Sequence, residues 1–374
     1  MKVFVHLAFI ASMIFLFACG NGDDNSDDGF RVAIVTSLTG VDDRAFNQSN
    51  YEGIQDFIAA NPGSTVQHVH ETSGALDAAV QYVERIAGDF DVIVMPGFQF
   101  SNIGHIAMNH PYTKFILIDV WPEPFGDNYE FPNVRALQFA EYESGFLAGV
   151  VAALESQAGR IAFVGGYAFP PVVNYQFGFE SGVNYANMVL GTDVTLVALE
   201  HRAGIDVRGI NVGGNYIGSF SDSDTGFDVA SELLAEGVDI ILVTAGSAGR
   251  GVYNAVIEYG GDVRIIITDT DLFEHELSSD RDIVLASVFK ATGLNVRRSL
   301  ESLAQGNFSG GNHTMRTDTD SVGIITAPGH HRQHQMPVET VNRINELFGK
   351  LRDGTIVPAS NFNGYTPYNF PGLP

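Results

Sequence analysis

Short apolar runs recur along the chain and alternate with amphipathic stretches. The runs stand at 32–35 (VAIV), 92–95 (VIVM), 115–119 (FILID), 136–139 (ALQF), 161–164 (IAFV), 194–199 (VTLVAL), 240–243 (IILV), 265–268 (IIIT) and 284–288 (VLASV). Each is short, rich in β-branched residues and apolar on both faces, which predicts a buried strand of a parallel sheet. Between them, apolar residues fall at helical spacing: Tyr51, Ile54, Phe57 and Ile58; Ala78, Val80, Val83 and Ile86; Phe146, Leu147, Val150, Val151 and Leu154; Phe227, Val229, Leu233 and Leu234; Val252, Val256 and Ile257. Strand and helix in alternation mean βαβ units and two parallel sheets. The Gly-rich stretch 201–215 reads as a long loop, and 358–374 as irregular chain across the surface. There is no tandem repeat.

The segment 40–53 (GVDDRAFNQSNYEG) joins the first strand to the first helix. Ligands of parallel α/β sheets sit beyond the carboxyl ends of the strands, where such loops gather. This one offers Asp42, Asp43, Phe46, Asn47 and Gln48: carboxylates, a ring and amides, suited to a flat, uncharged molecule bearing hydroxyls.

The N-terminus follows another logic. Lys2 precedes an apolar run over 3–17, broken only by His6 and Ser12 and closed by Leu16-Phe17-Ala18-Cys19. It is too short to span a bilayer and fits a secretory signal. Its end resembles the lipobox of bacterial lipoproteins, with Phe17 bulky for its position. Cys19 is the sole cysteine, so its acylation leaves no thiol for a disulfide. The acidic segment 20–29 (GNGDDNSDDG) reads as a tether. From Phe30 on, the chain exceeds what one core usually holds, which predicts two lobes.

Composition narrows the function. A net charge of -24 and a pI near 4.6 exclude nucleic acid as a partner, because phosphates demand clustered cations. Lysine is scarce (Lys2, Lys114, Lys290, Lys350), so Lys290 at the end of an apolar strand is a candidate functional group. His330, His331 and His334 (HHRQH) beside Pro328-Gly329 read as an exposed turn rather than a zinc site. His68 and His70 alternate along a strand as packing or edge residues. The segment 178–182 (GFESG) places its serine wrongly for a nucleophile elbow. No enzyme, cofactor or metal is expected.

The segment 31–53 (RVAIVTSLTGVDDRAFNQSNYEG) resembles the opening of the basic membrane protein family of substrate-binding lipoproteins. FILID (115–119), EYESGFLAG (141–149), GRIAFVGG (159–166), GSFSD (218–222), TAGSAGRGV (244–252), TDTD (268–271) and SVFK (287–290) resemble later family motifs in order. The resemblance implies a type I periplasmic-binding-protein fold: α/β, two Rossmann-like lobes joined by three crossovers. The boundaries expected are a lipoprotein signal peptide over 1–18, a tether over 19–29, an N-terminal lobe of 30–137 with 288–325, and a C-terminal lobe of 138–287 with 326–374. It implies a monomeric receptor, lipid-anchored at Cys19 and facing the periplasm or the extracellular side, that delivers a purine nucleoside to an ABC permease. An adhesin, a sensor or a receptor for another solute on the same fold is the alternative.

By position, the resemblance implies a ligand site of Asp42, Asp43, Phe46, Asn47, Asp119, Phe220, Gly246, Asp269 and Lys290. Phe46 is the ring of one lobe and Phe220 that of the other, with Phe177 and Tyr175 as alternatives; Asp271 rivals Asp269. The chain departs from the family in DDRAFNQ for DDKSFNQ, Leu272 where Gln is common, AGSAGRG for a richer glycine turn, and the length of 201–215. These departures bear on which base is bound.

Overall fold

Each apolar run contributes a strand, and the strands assemble into two sheets. The computed structural model describes residues 29–37, 39–43, 46–73, 75, 77–268, 283–326 and 335–368. Its strands are β1 (Arg31–Ser37), β2 (Thr65–Glu71), β3 (Val92–Pro96), β4 (Lys114–Ile118), β5 (Val134–Phe139), β6 (Arg160–Gly165) and β7 (Thr195–Leu196). They continue with β8 (Gly204–Ile205), β9 (Asn211–Gly213), β10 (Ile240–Thr244), β11 (Arg264–Thr268), β12 (Val284–Lys290), β13 (Gly311–Met315) and β14 (Val322–Ile324). The helices are α1 (Phe46–Ala60), α2 (Ala78–Ile86), α3 (Gly104–Asn109), α4 (Glu141–Glu155), α5 (Pro170–Tyr185), α6 (Ser223–Ala235), α7 (Gly249–Tyr259), α8 (Thr292–Ala304) and α9 (Val338–Arg352).

The first sheet has the order β13-β5-β4-β3-β1-β2 and is parallel throughout. The second has the order β14-β12-β11-β10-β6-β7, parallel except for β14 against β12. Alternation within a strand sends side chains to opposite faces. Val32 and Ile34 join the core with α1 and α8, whereas Ala33 and Val35 join the core with α2 and α3. In the second lobe Ile240 and Leu242 pack with α4, α5 and α9, and Ile241 and Val243 with α6 and α7. Helices on both faces of each sheet explain why the central strands carry no polar face.

The chain passes between the lobes after β5, after β12 and between β13 and β14. The three passages lie side by side: the Ala140 amide donates to the Met315 carbonyl (2.9 Å) and the Ala291 amide to the Ser321 carbonyl (2.8 Å). This topology moves three expected lobe boundaries. All of β5, to Phe139, runs in the first sheet, so the break at 137/138 shifts past it. All of β12, to Lys290, runs in the second sheet, and β14 also belongs there, so the break at 287/288 shifts to 290/291 and that at 325/326 falls within 316–321.

Two other expectations change. The run at 194–199 pairs only at Thr195–Leu196, because the Asn215 side chain takes the Leu199 amide at 2.8 Å. The stretch 201–215 is no structureless loop but carries the β8–β9 hairpin. From 353 to 368 the tail is without helix or strand, as expected, yet Ala359 and Ser360 are buried. Among the described residues, no helix is long and apolar enough to cross a membrane.

Candidate functional site

The carboxyl ends of β1, β4 and β12 meet at the lobe junction and bring Phe46, Asp119 and Lys290 together. Lys290 is the last residue of β12 and is buried. Its Nζ donates to Asp119 Oδ2 at 2.7 Å and to Glu141 Oε1 at 3.4 Å, and lies 4.8 Å from the Phe46 ring centre. An ammonium above a ring face gains from the ring quadrupole. Asp119 follows β4 with φ 72°, a left-handed conformation uncommon for a non-glycine residue. The backbone holds it there through its amide, which donates to the Leu137 carbonyl at 2.8 Å. The site therefore has a charged floor that spans both lobes.

The loop before α1 divides its labour differently from expectation. Asp43 accepts from the Asn47 and Gln48 amides (3.1 and 3.0 Å) and from Thr39 Oγ1 (3.1 Å). These are the orphan donors at a helix start, so Asp43 caps α1. Asn47 is buried and its Nδ2 donates to the Thr39 carbonyl and hydroxyl. Both residues thus fix the loop that presents Phe46. Asp42 is exposed at the rim.

The second lobe brings a group of rings to the lobe junction. Phe220 packs edge-on against Tyr167 (5.3 Å) and Phe169 (5.9 Å), and Tyr167 stacks on Phe169 at 5.3 Å. Phe98 of the first lobe reaches Phe169 across the gap, at 5.9 Å. Two glycines make room. A Cβ on Gly166 would lie 2.3 Å from the Phe220 ring, and Gly246 has φ +53° beside the Phe220 carbonyl, which accepts from the Ala248 amide at 3.0 Å. The alternatives Tyr175 and Phe177 lie elsewhere, on α5 against the second lobe's core, with Tyr175 1% exposed. Phe220, unlike these two, sits with Tyr167 and Phe169 in the ring group at the lobe junction.

Sequence reasoning did not single out Glu141, Tyr167, Phe169 or Phe98, which the fold places against Lys290 and the Phe220 ring group. The rings carry the same signal as Phe46, an aromatic just past the carboxyl end of a strand: Tyr167 after β6 and Phe98 after β3. Glu141 opens α4 and is fully buried. Burial pushes its carboxyl up to about 8, against the pull of Lys290 and of Asn174, whose Nδ2 donates to Oε2 at 3.1 Å. Asp269, Asp271, Cys19, the signal peptide and tether, and the His330–His334 cluster lie outside the described residues. Among those described, no group of three or more His, Cys, Asp or Glu is arranged to hold a metal.

Comparison with known proteins identifies the lineage. A family model described as "ABC transporter substrate-binding protein PnrA-like" matches residues 30–199 and 201–351. The chain is 28% identical to the CD4+ T-cell-stimulating antigen of Listeria innocua, over 93% of this chain and 95% of that one. It is 26% identical to basic membrane protein A of Borreliella burgdorferi, over 97% of each. The ABC transporter nucleoside-binding protein BmpA of Lactococcus lactis is also 26% identical, over 81% of this chain and 84% of that one. Among solved structures, an ABC transporter solute-binding protein from Aeropyrum pernix superposes with a TM-score of 0.73 at 22% identity, covering 90% of this chain and 94% of that one. The lac repressor dimer gives 0.53 at 14%, covering 83% and 96%. These likenesses establish the two-lobed type I periplasmic-binding-protein fold. The family match accounts for the absence of a catalytic pattern in the sequence, since its members bind solutes for import rather than transform them. This chain belongs to the Bmp family of PnrA-like ABC transporter substrate-binding proteins.

Proposed function

We propose that the protein captures a neutral purine nucleoside between its lobes, as a monomer lipid-anchored through Cys19, and presents it to an ABC permease. The observation that carries this reading is the floor of Asp119 and Lys290 beside the Phe46 ring, together with the Phe220 ring group at the lobe junction. A base stacks on rings whatever its identity, at about 1–3 kcal/mol. The Asp119 carboxylate accepts ribose hydroxyls, and Lys290 donates to an acceptor on the solute. The carboxylates of Asp119 and of Asp42 at the rim add negative potential, which opposes a phosphate and favours a nucleoside over a nucleotide. Asp43, Asn47 and Gly246 serve by shaping the two ring platforms, and Asp269, outside the described residues, is a further candidate contact by family resemblance. The Lactococcus relative, named as nucleoside-binding, supports the same class.

Calorimetric titration with inosine, guanosine and adenosine, their monophosphates and free pentoses tests this. Nucleosides are expected to bind, and the monophosphates far more weakly. Tight binding of a pentose or an amino acid with no heat from any nucleoside overturns the reading. The anchor is tested separately: Cys19→Ala is expected to release the protein from the membrane fraction.

A further inference from the structure

Lys290 has two carboxylates within reach but only one at close range. Asp119 Oδ2 is 2.7 Å away and Glu141 Oε1 is 3.4 Å away. Glu141 is held firmly: Asn174 Nδ2 donates to Oε2, and the amide orientation of Asn174 is itself fixed, because its Oδ1 accepts from the Asn361 backbone amide at 2.8 Å. Asn174 can therefore meet Glu141 only as a donor. With Lys290 donating from the other side, both Glu141 oxygens face donors, which suits the ionised carboxylate. Burial works the other way and brings the group into the neutral range, near 8. The charged and titratable groups around it are Lys290 on β12, Asp119 after β4, and its own neighbours Tyr142 and Glu143, the latter paired with Arg316; α5 faces it with Asn174.

We propose that Glu141 is a positioning residue, the second seat for the Lys290 ammonium, so that solute capture at Asp119 is coupled to release of one proton. A solute hydroxyl donating to Asp119 competes with the ammonium for the same carboxylate. The ammonium then leans toward Glu141, and an ionised Glu141 receives it better than a protonated one. The Glu141 carboxyl loses its proton to solvent, and no other bond changes. Capture lowers the Glu141 pKa, so affinity rises with pH below about 8 and levels off above it, by up to about tenfold per pH unit for a single linked proton. This rests on the nucleoside reading for its ligand but not for its chemistry.

Two measurements separate the ideas. Inosine titrations from pH 6 to 9, each in two buffers of different ionisation heat, are expected to show proton release near neutrality and a rising affinity in the wild type. Glu141→Gln keeps the shape and one acceptor oxygen, giving up one of the two contacts because Asn174 and Lys290 both donate, and is expected to bind without proton release and with no pH slope. A flat wild-type profile, or a slope that survives in Glu141→Gln, overturns the proposal. Independently, carbon-13 labelling of glutamate carboxyls in the ligand-free protein is expected to reveal one that titrates near neutrality and is missing from Glu141→Gln; its absence also overturns the proposal. Inosine that binds at no pH, with that carboxyl present, sinks the nucleoside reading and leaves the lysine seat standing.

Discussion

At the scale of single residues, the same side-chain types serve two masters. Asp43 and Asn47 have the chemistry of ligand contacts, yet their atoms go to the start of α1 and to Thr39. Capping and solute binding both use short polar side chains at helix N-termini, so sequence alone finds the loop but cannot divide the labour within it. Asp119 was singled out because an acid at the carboxyl end of a buried strand stands where the loops of a parallel sheet gather. Glu141 was not, because an acid at the first turn of a helix is the ordinary complement to the helix dipole. Rings are easier to test. Phe46→Ala removes the face beneath Lys290, and Phe220→Ala removes the platform seated on Gly166. Each is expected to weaken nucleoside binding by about 1–3 kcal/mol through lost stacking, read by calorimetry. Both rings are only partly buried, so the ligand-free melting temperature should move little. If Phe46→Ala instead unfolds the protein while the folded fraction keeps its affinity, the ring belongs to the core.

At the scale of elements, most strands and the helices α1, α2, α4, α6 and α7 were read from the sequence; α3, α8, α9 and α5 were not, and α5 is the instructive case. Its residues PPVVNYQFGFESGVNY are buried on nearly every side, so no single apolar stripe marks it. The reason is its contact with α4. A Cβ on Gly149 would lie 2.1 Å from the Phe179 carbonyl oxygen, and one on Gly182 would lie 2.1 Å from that of Phe146. Gly145 and Gly178 repeat the arrangement at 2.4 and 2.2 Å. Two pairs of glycines, four residues apart on each helix, let the backbones touch. This tight packing also positions the start of α4, and with it Glu141, against Asn174. Gly149→Ala or Gly182→Ala forces the backbones apart and is expected to destabilise by about 1–3 kcal/mol or more. Gly349 in α9 has open space around its would-be Cβ, so Gly349→Ala is expected to be neutral or stabilising by up to about 1 kcal/mol. Urea denaturation of the three variants checks this; equal gains at Gly149 and Gly349 would mean that helix propensity, not contact, sets the effect.

At the scale of the whole molecule, three chain passages join the two lobes and hold them in register. The passages were legible only as a count implied by family resemblance, because where a chain leaves a sheet depends on pairing that no local pattern records. Their joint is specific. Glu143, on the first turn of α4, accepts from Arg316 Nε (2.8 Å) and from the Thr317 amide (2.9 Å) in the third passage. Ser144 Oγ beside it donates to the Gly323 carbonyl at 3.1 Å. Burial raises the Glu143 carboxyl, while Thr317 and Arg316 pull it back. Arg316→Met removes part of that pull and leaves a buried carboxylate less compensated, so the folded-state pKa climbs further. A carboxyl raised in the folded state contributes stability that is present below its unfolded value and is lost as pH rises through the folded value. The variant is therefore expected to lose more stability against wild type at pH 8 than at pH 5. Breaking a buried pair from one side typically costs about 3–5 kcal/mol, and Arg316 is partly exposed, so the loss should fall at or below the lower end. Arg343→Met, which removes an exposed partner of Glu346, serves as the control for lost charge and should show little change at either pH. Because Arg316 ties the third passage to the first, its loss should also widen the range of lobe orientations seen by small-angle scattering. A destabilisation independent of pH, with scattering unchanged, would mean that Arg316 contributes by packing against the Leu351 carbonyl, which its Nη2 also reaches at 3.1 Å, and that Glu143 keeps the passages in register without it.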